Sequence, residues 1–234
     1  RASSSLTMRK AIGWLLTPLH FVVFMAVLLV FHVAQVFARA FGYAAHKRVA
    51  DYLNLGVLAS LKVVGARIDL NCEHALAAAL QLMVVAHHLS LYDIPMLGWM
   101  LRKHHPKFVA KIELARGIPS ISYNLRHGGS VLIDRGDARA AMRAIQKFGK
   151  IVEEHRYAAC IFPEGTRSWD GKLLPFKKGG FVIAKGGQLP ILPVTICGSH
   201  QRLPKGSAAF TSGEIEIVIH PPMASGSLPL DDLM

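Results

Sequence analysis

A histidine and an aspartate stand five residues apart in His88-Leu89-Ser90-Leu91-Tyr92-Asp93, directly after the apolar run Met83-Val84-Val85-Ala86. An imidazole works as a general base when a carboxylate holds one ring nitrogen and leaves the other free for a reacting hydroxyl. On one ideal helix the pair cannot meet, because at about 100° per residue five positions separate the side chains by about 140°. The pair can meet if His88 lies in the loop before a helix, with Ser90 as the N-cap. The alternative is a loop histidine beside a carboxylate that only caps that helix. Two further segments offer cations at strand ends. Gly129-Ser130-Val131-Leu132-Ile133-Asp134-Arg135 delivers Arg135, and Phe162-Pro163-Glu164-Gly165-Thr166-Arg167-Ser168 delivers Arg167. A guanidinium fork matches two oxygens of a phosphate, although each arginine alone also reads as a surface residue. The strand Leu189-Pro190-Ile191-Leu192-Pro193-Val194 carries no chemistry and reads as core or as substrate lining.

Short apolar runs must hold these groups. Ala66–Leu70, Leu82–Ala86, Phe108–Ala110, Val131–Ile133, Cys160–Phe162, Ile191–Ile196 and Ile215–Ile219 alternate with helical stretches and turn residues. That alternation predicts an α/β fold: a mixed, largely parallel sheet flanked by helices. Asp137–His155 reads as a helix capped by Asp137, with Ala141, Ile145, Phe148, Ile151 and Val152 on one face. Chain sites in such sheets sit where strands end, which is where both the His88 and the Arg167 segments fall.

The N-terminal part has a different character. Arg1–Thr7 reads as a linker ahead of Met8, and Ala11–Ala38 contains no Asp, Glu, Lys or Arg. A helix over that stretch exceeds the roughly 30 Å thickness of bilayer hydrocarbon, although Pro18 and His20 are expected to cut the usable part to Phe21–Phe37. A signal peptide is the competing reading, but no small-x-small cleavage site follows before Arg39. Both flanks are basic, so charge asymmetry sets no orientation, and a segment that dips in and returns satisfies both. Val49, Leu53, Val57, Leu61 and Val64 then recur at helical spacing. This reads either as a helix lying in the membrane interface or as one packed on the soluble core. The partition is a linker over 1–7, membrane-associating helices over 8–65 and an α/β domain over 66–234.

Composition narrows the classes. The 234 residues carry 27 Lys and Arg against 15 Asp and Glu, a net +12, with 52% apolar residues. A basic surplus on so apolar a chain fits an anionic membrane surface better than nucleic acid. Cys72, Cys160 and Cys197 are odd in number and widely spaced, which indicates neither a disulfide framework nor a zinc site. The histidine pairs His87-His88 and His104-His105 lack the i, i+4 spacing of metal ligands on one helix face. No G-x-S-x-G elbow, P-loop or dinucleotide-binding glycine motif occurs.

Taken in order, His88…Asp93, Gly129…Arg135, Phe162-Pro-Glu-Gly-Thr-Arg-Ser and the proline strand at 190–194 resemble the glycerolipid acyltransferase family, above all its bacterial lysophosphatidic acid acyltransferases. Phe108-Val109-Ala110-Lys111-Ile112-Glu113-Leu114 and Ile118-Pro119 resemble the segment between the family's first two blocks. The resemblance covers about residues 66 to 220. It implies transfer of a fatty acyl group from acyl-CoA or acyl-ACP, as co-substrate and without a cofactor or metal, to the sn-2 hydroxyl of lysophosphatidic acid. On it, His88 deprotonates the hydroxyl and Asp93 holds the imidazole. Lys111, Arg135 and Arg167 hold the acceptor's phosphate, Glu164 and Gly165 position its glycerol part, and Thr166 belongs to the same substrate-binding turn. Backbone N–H groups near Ser90 are candidates for the oxyanion. The partners implied are a lysophospholipid, the acyl donor and membrane lipids, with no nucleic acid. The place implied is the cytoplasmic face of a bacterial inner membrane, monotopic or single-span. His87 stands where the family usually has Asn, and Ser122 where Gly is common. Leu228–Met234 reads as the first turn of a helix. Other readings are acylation of a different lysolipid and a lipid-binding protein without catalysis.

Overall fold

The computed structural model describes residues 2–72, 81–134, 136–226 and 229–234. Seven strands form one sheet: β1 (Ala66–Cys72), β2 (Met83–Ala86), β3 (Lys107–Lys111), β4 (Val131–Ile133), β5 (Ala159–Ile161), β6 (Ile191–Cys197) and β7 (Gly213–Ile219). Their spatial order is β1-β7-β6-β2-β5-β3-β4, and every neighbouring pair is parallel except β6 with β7. The expected mixed, largely parallel α/β architecture is therefore what the chain adopts. The helices are α1 (Ala2–Ala40), α2 (Tyr43–Ser60), α3 (Asp93–Met100), α4 (Ile121–His127), α5 (Ala138–His155), α6 (Gly179–Gly186) and a single turn, α7 (Ser199–Arg202).

Alternation along the central strands divides the interior into two layers. Leu82, Val84, Ala86, Cys160, Leu192, Val194 and Ile196 face one side, where they meet Leu28 of α1, Leu53 and Val57 of α2, and Met96 and Leu97 of α3. Met83, Ala159, Ile161 and Ile191 face the other, against Phe148 and Val152 of α5 and Phe181 and Ala184 of α6. A period of two on strands buried on both faces makes this three-layer arrangement. The α5 helix starts as expected, with the Asp137 carboxylate accepting the Ala140 N–H at 2.8 Å.

The N-terminal helices belong to the first of these layers. Leu53, Val57, Leu61 and Val64 are buried in the main core. The second helical segment is thus a core-packing helix and not an interfacial one; its 3.6 period could not distinguish lipid from protein as the apolar partner. Neither Pro18 nor His20 ends α1, which runs unbroken through both and through the segment read as a linker. Its polar side chains hydrogen-bond to the body of the protein. Thr17 Oγ1 accepts the Phe210 N–H at 3.0 Å, His20 lies between the Ser60 carbonyl (2.9 Å) and the Tyr92 hydroxyl (2.7 Å), and His32 Nδ1 accepts the Ser120 N–H (3.1 Å). At Gly13 a Cβ would fall 1.9 Å from the Phe210 carbonyl oxygen, so only glycine permits that approach. The opposite face of α1 is apolar and exposed, with Trp14, Leu15, Val22, Val30 and Phe37 each more than 60% accessible.

At the amino end of β3, Lys107 is 4% exposed. Its Nζ donates to the Gly128 carbonyl (2.6 Å) and the Tyr43 hydroxyl (2.9 Å), between the rings of Tyr43 and Tyr157. Burial, with Lys47 adding to it, lowers its pKa from 10.5 to about 8. Below pH 8 both folded and unfolded chains hold the proton. Between about pH 8 and 10.5 the unfolded chain keeps a proton that the folded chain has released, so this group makes stability rise with pH. The full contribution is on the order of 3 kcal/mol. Tyr43 and Tyr92, whose pKa values burial raises, oppose it only above their ordinary value of 10. Unfolding free energies of Lys107→Met measured between about pH 8 and 9.5 should therefore lack the upward slope seen in the unaltered chain.

Candidate active site

In the central parallel group β2, β5 and β3, the carboxyl ends lie on one edge of the sheet, and the chain leaves β2 and β5 side by side there. His88 lies in the loop after β2, and helix α3 begins at Asp93, three residues beyond the expected N-cap Ser90. Ser90 is in the intervening turn, and the carboxylate folds back over it. Asp93 Oδ2 is 3.0 Å from His88 Nδ1 and accepts the backbone N–H groups of Leu89 and Ser90 at 2.7 Å each. Asp93 is fully buried and His88's side chain is 14% exposed. With Nδ1–H assigned toward the carboxylate, Nε2 keeps its lone pair, the tautomer a general base needs.

This geometry corrects one expectation. The N–H groups of Leu89 and Ser90 are spent on Asp93, so they are not available to an oxyanion. Asp93 Oδ1 is buried and has no hydrogen-bond partner among the described residues.

The segment after β5 holds the other side of the site. The Phe162 ring stacks on His88 with centroids 4.2 Å apart and planes 19° apart. Glu164, 3% exposed, bridges two loops: Oε1 accepts the His88 N–H (3.0 Å) and Oε2 the Leu174 N–H (3.2 Å). The Ser168 N–H donates to the His88 carbonyl at 3.2 Å. His88 is thus held by its ring, its N–H and its carbonyl. Gly165 has φ +70°, and a Cβ there would lie 2.8 Å from Lys177 Nζ, so the turn and the close approach both require glycine. Arg167 is half-buried; burial lowers its pKa while the Asp93 charge opposes that shift, which puts guanidinium and carboxylate within electrostatic reach.

Thr166 is exposed on the same turn, where Lys205 Nζ approaches its hydroxyl (3.3 Å) and donates to the Arg167 carbonyl (2.9 Å). Lys111 is exposed at the carboxyl end of β3, on the same edge of the sheet as His88. Arg135 lies outside the described residues. Sequence reasoning missed Phe162 as the ring under His88, Glu164 as the brace of the His88 loop, and Lys205. The first could have been read from an aromatic residue at a strand end beside the turn; the others join positions far apart in the chain and leave no local pattern. His87, where an asparagine is usual, accepts the Ile196 N–H on Nε2 at 3.0 Å and so extends the β2–β6 pairing by a side chain.

The description Acyltransferase belongs to a family model that matches residues 67–197, more than half of the chain and inclusive of every motif above. The chain belongs to the Acyltransferase family. It is 34% identical over 140 residues to a chloroplastic 1-acyl-sn-glycerol-3-phosphate acyltransferase of Brassica napus, covering 59% of this chain and 40% of that protein. It is 30% identical over 183 residues to the 1-acyl-sn-glycerol-3-phosphate acyltransferase alpha of Ovis aries, covering 77% and 62%. The match thus spans roughly two-fifths to three-fifths of these relatives' lengths. The crystal structure of the 1-acyl-sn-glycerophosphate (LPA) acyltransferase PlsC from Thermotoga maritima superposes with a TM-score of 0.78 at 26% identity, covering 96% of this acyltransferase-family chain and 94% of that one. Coverage that complete takes in the N-terminal helices as well as the sheet.

Proposed function

We propose that the protein transfers a fatty acyl group from acyl-CoA or acyl-ACP to the sn-2 hydroxyl of lysophosphatidic acid. The observation that carries this reading is the His88–Asp93 pair beside the Glu164–Arg167 turn at the carboxyl ends of adjacent parallel strands. His88 Nε2 takes the proton of the acceptor hydroxyl as its oxygen attacks the thioester carbon. The tetrahedral intermediate collapses, the C–S bond breaks, and the proton on His88 passes to the leaving sulfur. Products are phosphatidic acid and a free thiol, a balance that requires no cofactor. Arg167 and Lys111 supply positive charge for the acceptor's phosphate, with Arg135 added on the strength of the family motif. The buried Glu164 acts first by holding the His88 loop, and Gly165 gives the turn its shape. Thr166 completes the acceptor's binding surface.

The same reading makes the protein monotopic at the cytoplasmic face of the membrane. The protein-facing stripe of α1 runs from Gly13 to Gln35, about 33 Å at ~1.5 Å per residue. A helix covered by its own domain along that length cannot cross alone. Its exposed apolar face instead beds into one leaflet, which supports entry of lipid acceptor and acyl chain from the bilayer.

The test is acyl transfer by the full purified chain, with oleoyl-CoA and oleoyl-ACP offered separately and other lysolipids competing with lysophosphatidic acid. Preferred consumption of lysophosphatidic acid is expected. Preference for another lysolipid would overturn the acceptor assignment and keep the chemistry. Absence of transfer to every acceptor, by folded protein that still binds anionic vesicles, would leave lipid binding as the function.

A further inference from the structure

At the opposite end of the sheet from His88, beside the amino end of β3, a cavity of about 350 Å³ opens at the turn between α1 and α2. It is lined by Arg39, Gly42, Tyr43, His46, Arg126 and His127, so four of its six lining residues are basic and none is acidic. His46 is 2% exposed, and its Nε2 is buried without a hydrogen-bond partner among the described residues. Gln35, one helical turn before Arg39 on the same face of α1, is fully buried with both amide atoms likewise unpartnered. Native interiors rarely leave such groups unsatisfied, and an uncompensated cluster of cations in a cavity is costlier still. Arg39 Nη1 is hydrogen-bonded to His127 Nδ1, which leaves its remaining N–H groups for a ligand. Burial first, then the charges of His127, Lys107 and Arg39, lower the pKa of His46, the mark of positive groups facing one another without an anion between them. The nearby carboxylate Asp51 is engaged by Lys47 at 2.5 Å.

We propose that this cavity binds a phosphate group, held by the Arg39 and Arg126 guanidinium groups with His46 Nε2 at its base. The donors suit its chemistry: arginine forks match paired phosphate oxygens, and a protonated imidazole adds a third. The phosphate has two possible sources, an anionic lipid headgroup or a free phosphate. The position favours the headgroup. The exposed apolar face of α1 ends at Val36, Phe37 and Phe41, immediately beside Arg39, so a helix bedded in one leaflet presents the cavity at the level where headgroup phosphates lie. This site is independent of the acceptor's phosphate site at the other end of β3.

The experiment follows the His46 ring signals by NMR in the full chain labelled with ¹⁵N-histidine, assigned through His46→Gln. Short-chain phosphatidylglycerol and inorganic phosphate are titrated separately, and binding to phosphatidylcholine vesicles with and without phosphatidylglycerol is measured alongside. The expected result is a saturable His46 shift with phosphatidylglycerol that Arg39→Ala/Arg126→Ala abolishes. Vesicle binding should weaken about tenfold in that variant only when phosphatidylglycerol is present. Arg39→Lys/Arg126→Lys, which keeps the charge and removes the forks, should also weaken it several-fold, since diffuse attraction alone would not change. A shift with millimolar inorganic phosphate would identify free phosphate as a ligand of the same site; its absence there would assign the site to lipid. No shift with either ligand, or lysine variants that bind as the unaltered chain does, would overturn the proposal. Acyl transfer to a soluble short-chain acceptor should be unchanged in these variants, so failure here is separable from failure of the catalytic reading.

Discussion

Replacing His88 by alanine should lower kcat/KM for acyl transfer by about 10²–10⁴-fold, the range a positioned general base contributes. The substitution removes the one nitrogen that can take the hydroxyl proton, yet it leaves the surrounding loop satisfied. Asp93 Oδ2 keeps the N–H groups of Leu89 and Ser90, and Glu164 Oε1 keeps the backbone N–H of residue 88. The main loss of contact is the stack on Phe162. Stability should therefore change by no more than about 1 kcal/mol, the cost of one aromatic contact near a surface. Steady-state rates and a thermal melt on the same preparation check both halves. Full activity in the variant would remove His88 from the mechanism, whereas loss of activity together with loss of the melting transition would show only that the loop had collapsed.

The sheet was legible because each strand is a short apolar run bounded by turn residues. Val131–Ile133 and Ile191–Cys197 match the runs almost residue for residue. Pairing order was not legible: β5 inserts between β2 and β3, and that follows from which helices cover which face, not from local pattern. The periodicity of Leu53, Val57, Leu61 and Val64 identified a buried face without identifying what buries it. His20 looked like an interruption of an apolar segment and is instead a hydrogen-bonded link from α1 to Tyr92, the neighbour of Asp93.

Within the site, the types and spacing of His88 and Asp93 predicted their meeting, including the need for His88 to precede the helix. Which residue begins that helix was misread, because Ser90 and Asp93 are both good caps and only the return of the carboxylate over Leu89 and Ser90 decides between them. Glu164 was visible as part of a polar turn, but its partners His88 and Leu174 lie 76 and 10 residues away. No one-dimensional pattern reports such a contact. The Acyltransferase match over residues 67–197 covers the motifs that local chemistry had singled out and stops short of α1, whose role rests on packing.

Asp93→Asn should lower kcat by a further diagnostic 10²–10⁴-fold, with little change in KM because a fully buried carboxylate does not touch the acceptor. Oδ2 serves three donors at once: His88 Nδ1 and the N–H groups of Leu89 and Ser90. An amide oxygen can take that position, but it brings no negative charge to stabilise the imidazolium that forms as His88 accepts the proton. The amide nitrogen then occupies the place of Oδ1, where no described group accepts from it. If the amide turns over, its N–H groups face three other donors and the ring loses its anchor. Either arrangement impairs the base without removing it. The two residues act as a unit, so Asp93→Asn combined with His88→Ala should be no slower than His88→Ala alone. Additive losses in the double variant would mean that Asp93 serves catalysis by a route other than His88, and an unimpaired single variant would reduce the carboxylate to a helix cap.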